Sequence, residues 1–139
     1  MVFHKTTAYS LNVLSFMSGD PERTMSASYI NRELGIPYSY LRLVMGNLSK
    51  KGFIVSIKGR DGGFRLADSI NNIYLSEIID ASEGLDDFRK CIMGFSVCPF
   101  NNGCSMHPLW VEMRTTLLSV LEKTSLADLL RNRKPNQSK

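Results

Sequence analysis

Cys91, Cys98 and Cys104 are the only cysteines in the chain, they fall within fourteen residues of one another, and His107 follows the last of them after two residues. Three thiolates and an imidazole on one short segment form a donor set for a soft metal ion or an iron-sulfur cluster. Structural zinc sites favour paired Cys-x2-Cys knuckles. Here the intervals are six and five residues, which suits a larger object held across an open loop, although zinc or a bare thiol switch stays open as an alternative. A histidine at a helix start reads by itself as a polar cap, and its place beside Cys104 makes His107 a candidate ligand. The loop from Arg89 to His107 contains Gly94, Pro99, Asn101, Asn102 and Gly103, residues that favour turns over regular structure. An odd number of clustered cysteines in a reducing compartment points to metal binding or redox chemistry, not to a disulfide framework.

The elements that must position this loop are helical. Tyr9, Leu11, Val13, Leu14, Phe16 and Met17 predict a mostly buried helix over Thr6 to Met17, stopped by Ser18-Gly19-Asp20-Pro21. Ser26 is placed to cap a second helix with Ile30 and Leu34 inward and Gly35 at its end. Pro37 then opens a third, in which Leu41, Val44, Met45 and Leu48 recur at helical spacing as far as Lys50-Lys51-Gly52. Two short helices about a tight glycine turn match a helix-turn-helix. The period then switches, and Phe53 to Lys58, the turn Gly59 to Gly63 and Phe64-Arg65-Leu66 predict a two-stranded wing. Ile73 to Leu75 is expected as a short strand, with Ser76 capping a helix that runs to Glu83 and stops at Gly84. Beyond the cysteine loop, Pro108 to Thr124 is expected to be helical. Trp110, Met113, Leu117 and Val120 form an a/d seam there, suited to pairing with a second copy, and Leu118 and Leu121 add another apolar edge.

Charge is uneven along the chain. Residues 1–66 carry nine Lys or Arg against four acids, whereas the remainder is slightly acidic, so the N-terminal half is the one suited to nucleic acid phosphates. On the third helix Tyr38, Ser39, Tyr40 and Arg42 are outward candidates for base edges, with Arg42 suited to guanine and Tyr40 equally suited to packing beside Leu41. Asn47, Lys50 and Lys51 suit phosphate contacts, and Lys58 and Arg60 flank the wing-tip Gly59 where a minor groove can be entered.

A chain of 139 residues with 43% hydrophobic content can fill one core without staples. The expected class is mainly α with a small β wing. A winged helix-turn-helix DNA-binding domain spans 1–84, a ligand loop 85–107, a dimerisation helix and C-terminal helix 108–130, and a polar tail 131–139. Residues 1–10 have no apolar signal-peptide core, and no apolar run approaches the roughly 20 residues that span a bilayer. A cytoplasmic protein without membrane attachment is therefore expected. With no Cys-x-x-Cys pair and no nucleotide-binding glycine fingerprint, a small cysteine-dependent redox enzyme is a remote alternative, so the chain is not expected to be an enzyme. A structural adaptor of the same fold would lack DNA affinity and steep salt dependence.

Together these segments resemble the IscR and NsrR family of bacterial regulators, also called the Rrf-two type. The resemblance runs through Leu34-Gly35-Ile36-Pro37-Tyr38-Ser39-Tyr40-Leu41, Leu48-Ser49-Lys50-Lys51-Gly52-Phe53-Ile54 and Ser56-Ile57-Lys58-Gly59-Arg60-Asp61-Gly62-Gly63-Phe64-Arg65-Leu66. It continues through Leu75-Ser76-Glu77-Ile78-Ile79 to the cysteines, His107 and Leu126-Ala127-Asp128-Leu129. It implies a homodimer that binds a palindromic operator in double-stranded DNA, with a [2Fe-2S] cluster on Cys91, Cys98, Cys104 and His107 and DNA contacts from Ser39, Arg42 and Lys58. The first cysteine interval is one residue longer here than in the iron-sulfur assembly regulator. Arg42 stands where that protein has an acid, and Lys58 where it has an arginine, so operator sequence does not carry over. The nitric-oxide-sensing branch takes a ligand from an acid near the N-terminus, and positions 4–10 here contain none.

Overall fold

A computed structural model describes residues 3–131, so the tail expected over 131–139 lies outside the described residues except for Arg131. The order of elements is α1 (Lys5–Met17), α2 (Ala27–Leu34), α3 (Tyr38–Lys50), β1 (Ile54–Ile57), β2 (Gly63–Leu66), α4 (Leu75–Ser82), α5 (Met106–Lys123) and α6 (Leu126–Leu130). Short 3-10 turns at Ile70–Asn72 and Asp86–Arg89 precede α4 and the cysteine loop.

The helix-turn-helix forms as its sequence dictates. Ser26 accepts the Tyr29 N–H at 3.1 Å to cap α2, and Gly35 ends it in the left-handed region at φ +66°, a conformation open to glycine without a Cβ penalty. Asn31 Nδ2 donates to the Ile36 carbonyl at 2.6 Å and so closes the turn into α3. The stripe Leu41, Val44, Met45 and Leu48 is buried, together with Val13, Leu14, Met17, Ile30 and Ile36.

β1 and β2 pair antiparallel with Ile54 opposite Leu66 and Ile57 opposite Gly63. A third backbone joins them, since Met25 and Phe64 exchange hydrogen bonds of 2.8 and 2.7 Å. This bridge ties the wing to the segment before α2, and it requires a close approach: a Cβ on Gly63, which sits at φ +151°, would meet the Met25 carbonyl oxygen at 2.4 Å.

Three expectations need correction. The strand expected at Ile73 to Leu75 is a single bridge between Tyr74 and Ser125, flanked by hydrogen bonds from Leu75 N–H to the Thr124 carbonyl and from Leu126 N–H to the Ile73 carbonyl. Ser76 is not the cap of α4. The cap lies two residues earlier, at Tyr74, whose N–H donates to the Glu77 carboxylate at 3.2 Å, and Ser76 is buried in the first turn. Helix α5 begins at Met106, ahead of Pro108. The Phe100–Gly103 turn closes immediately before it, and proline's missing N–H falls in a first turn that has no use for it.

The C-terminal segment returns to the body. Leu126 is fully buried in the same core as α1 and α3, and the Ser125–Asp128 capping box secures it, each backbone N–H donating to the other's side chain. A second apolar cluster of Ile79, Phe88 and Leu121, joined by Leu117 and Leu118, fastens α5 to α4 and to the approach of the cysteine loop.

Candidate functional site

Two surfaces carry the candidate residues. On the first, α3 presents exposed Tyr38, Ser39, Tyr40, Arg42 and Lys50, with Lys51 exposed just past its end and Asn47 half-buried. A groove of about 610 Å³ separates α3 from the wing, lined by Tyr38, Arg42, Gly46 and Lys50 on one side and Ser56 and Phe64 on the other. Arg42 therefore faces the groove, one turn after Tyr38. The Tyr40 ring meets Tyr9 of α1 edge-on at 5.5 Å and the side chain is still exposed. Lys58 and Arg60 are exposed on either side of Gly59. A basic feature not singled out in the sequence surrounds Tyr29 of α2, where Arg23, ahead of the helix, sits 4.5 Å and Arg32 5.6 Å from the centre of the ring. The spacing Tyr29 to Arg32, one helical turn, was the signal for half of it.

The second surface is the cysteine loop. Cys91, Cys98, Cys104 and His107 all line one cavity of about 670 Å³, closed on one side by Met106, Trp110 and Arg114 of α5. Each cysteine is free and half-buried. Tight turns shape the loop between them: Gly94 N–H donates to the Cys91 carbonyl at 2.9 Å, Asn101 and Asn102 adopt positive φ, and the Asn102 N–H donates to Cys98 Sγ at 3.2 Å. That last bond aims a backbone donor at the Cys98 sulfur and holds it within its own turn. Among the described residues, no group of three His, Cys, Asp or Glu side chains stands close enough to hold one metal ion. All four donors border the same cavity.

Helix α5 divides its faces among this cavity, the α4 cluster and solvent. His107, Trp110 and Arg114, spaced three and four, line the cavity; the Trp110 indole N–H donates to the Lys90 carbonyl at 2.8 Å and Arg114 Nη1 to the Arg89 carbonyl at 2.7 Å. Of the residues expected at a pairing seam, Met113 and Val120 are 58% and 53% exposed, joined by Leu109 at 52%. Leu117 packs on the α4 cluster. The spacing of Trp110 served both faces equally, and its place in the cavity was not evident from sequence.

A three-helix body with an exposed, cation-bearing third helix and an adjoining basic hairpin defines a winged helix-turn-helix protein. Residues 3–132 match the Rrf2 family, described as iron-dependent transcriptional regulators, and the chain belongs to that family. It is similar to the HTH-type transcriptional regulator NsrR of Halalkalibacterium halodurans, 32% identical over 128 residues that cover 91% of this chain and 88% of the relative. It is also similar to IscR of Xenorhabdus nematophila, 31% identical over 103 residues that cover 74% of this chain and 62% of the relative. Among solved structures, CymR, the global cysteine regulator of B. subtilis, shares the fold with a TM-score of 0.76 at 23% identity, over 96% of this chain and 99% of that one. The chain is thus a transcriptional regulator of a DNA-binding family, and among the described residues no helix is long and apolar enough to cross a membrane.

Proposed function

We propose that this regulator binds a palindromic operator as a homodimer and senses iron-sulfur, redox or nitric oxide status through a cluster on Cys91, Cys98 and Cys104, with His107 as the fourth ligand. The observation that carries this reading is the convergence of these four soft donors on one cavity beside α5. When bound, a [2Fe-2S] cluster would supply a redox-active and nitric-oxide-reactive centre. The chain's own part is structural. Ligation would draw in a loop that is otherwise held by local turns and fix it against α5, whose Leu109, Met113 and Val120 offer an apolar stripe to a second copy. Because the spacing of two recognition helices follows from how the copies pair, ordering of the loop would bias DNA affinity.

On DNA, Arg42 and Ser39 would read bases in the major groove, Tyr38 and Tyr40 would touch phosphate or thymine methyl groups, Asn47, Lys50 and Lys51 would hold phosphates, and Lys58 and Arg60 would enter a minor groove from the wing. A cytoplasmic setting follows from that role. A cluster-free thiol regulator of the same fold is the second reading, and the partial exposure of all three cysteines, which leaves them open to oxidants, supports it.

The test is affinity for duplexes selected from a random-sequence pool by the purified protein, measured with the cluster loaded and removed. Coupling of sensor to DNA predicts a difference of about tenfold or more. Equal affinities would reduce the loop to a bystander.

A further inference from the structure

The two hydrogen bonds from α5 to the start of the cysteine loop are the feature with most to say beyond the donor set. Arg89 ends the 3-10 turn Asp86–Arg89, and carbonyls at a helix end lack partners within the helix. Two consecutive ones, Arg89 and Lys90, are taken up by side chains of α5: Arg114 Nη1 reaches the first at 2.7 Å and Trp110 Nε1 the second at 2.8 Å. Cys91 is the next residue. The same face of α5 carries His107 one turn before Trp110, and all four residues border the cavity. By contrast Cys98 is held within its own turn, through the Asn102 N–H.

We infer that Trp110 and Arg114 are positioning residues that clamp Cys91 to α5, fixing the first thiol relative to His107 before any metal arrives. The inference rests on the reading of the cavity as a ligand site but concerns the metal-free chain. The clamp preorganises one half of the donor set, Cys91 and His107, on the helix that also presents the apolar stripe. Cys104 stands just ahead of the same helix, its carbonyl accepting the His107 N–H at 3.3 Å, and Cys98 is the donor left on a turn of its own. Position 110 therefore requires a ring with an N–H donor, and position 114 a long donor.

Cysteine alkylation in the metal-free, full-length protein, resolved by peptide mass spectrometry, separates this role from general stability. Loss of two backbone-carbonyl bonds in the Trp110→Phe, Arg114→Met double variant should raise the Cys91 alkylation rate about tenfold, with Cys98 and Cys104 within about twofold and the unfolding midpoint little changed. Trp110→Phe keeps an aromatic ring and Arg114→Lys keeps a donor, so Arg114→Lys alone should stay near the wild-type rate and Arg114→Met should not. An unchanged Cys91 rate, or an equal rise at all three cysteines, overturns the clamp. Because no metal is present, failure of the cluster reading leaves this result standing. If the wild type does load a cluster while the Cys91 rate is indifferent to these variants, the clamp alone is wrong.

Discussion

The helix-turn-helix body and the cysteine loop are built on opposite principles. In the body, apolar side chains recur at helical spacing and are buried, Leu41, Val44 and Leu48 completely, so the hydrophobic effect is the main force that holds its shape. In the loop the apolar side chains Met93, Val97 and Phe100 are 67%, 82% and 60% exposed, and the backbone is shaped by short turns and two bonds from α5. A segment with so little burial opens easily, which is a fault in a scaffold and a requirement in a sensor. In the sensing role proposed above, the division would let ligand chemistry rearrange one region without melting the other.

The sharpest way to break this contrast is to delete methyl groups from each side. Leu48→Ala, in the fully buried stripe of α3, should cost about 3 kcal/mol of stability in urea unfolding, while Val97→Ala in the loop should cost less than about 0.5 kcal/mol. Comparable losses would mean that the loop is part of the cooperative core. Next in size is the junction of wing and body. Gly63→Ala forces a methyl group to within 2.4 Å of the Met25 carbonyl and should cost about 2 kcal/mol, with weakened DNA binding as the wing shifts. A variant of wild-type stability and DNA affinity would show that the Met25–Phe64 bridge is dispensable.

Smaller effects separate the phosphate-holding role proposed for α3 from base reading. Replacing both Lys50 and Lys51 by alanine should lower the slope of log affinity against log salt by roughly 2 and weaken all duplexes alike, whereas Arg42→Ala should mainly narrow the gap between selected and random duplexes. Least of all is the contribution of the α6 cap. The Ser125 backbone N–H and then its hydroxyl hold the Asp128 carboxyl below the ordinary aspartate range. A lowered value means stability that is complete above the unfolded value of about 3.9 and lost as pH falls through the folded one. Wild type and Asp128→Ala should therefore differ in urea midpoint at pH 7 and converge as the pH is taken down through the lowered carboxyl pKa; a constant gap would assign the effect to packing.

Much of the body could be read from the chain because its signals are local. The α3 stripe, the Ser26 cap, the Gly35 stop and the glycine-tipped hairpin each act within a few residues. What escaped was long-range. A single-residue bridge such as Met25 with Phe64 or Tyr74 with Ser125 has no composition of its own, and the return of Leu126 into the main core depends on where α5 ends. For the site, residue types named the donors, but a tryptophan at seam spacing fits a cavity or a partner equally. Only the placement of the Lys90 carbonyl beside α5 decides that Trp110 turns inward.

An iron-sulfur cluster on the open loop would announce itself in the visible spectrum of protein purified without oxygen, with iron and sulfide counted per chain. Broad absorption between about 320 and 600 nm is expected, with iron and sulfide in equal amounts, and both are lost in Cys98→Ser. A colourless protein, free of iron after anaerobic reconstitution, would contradict the proposal.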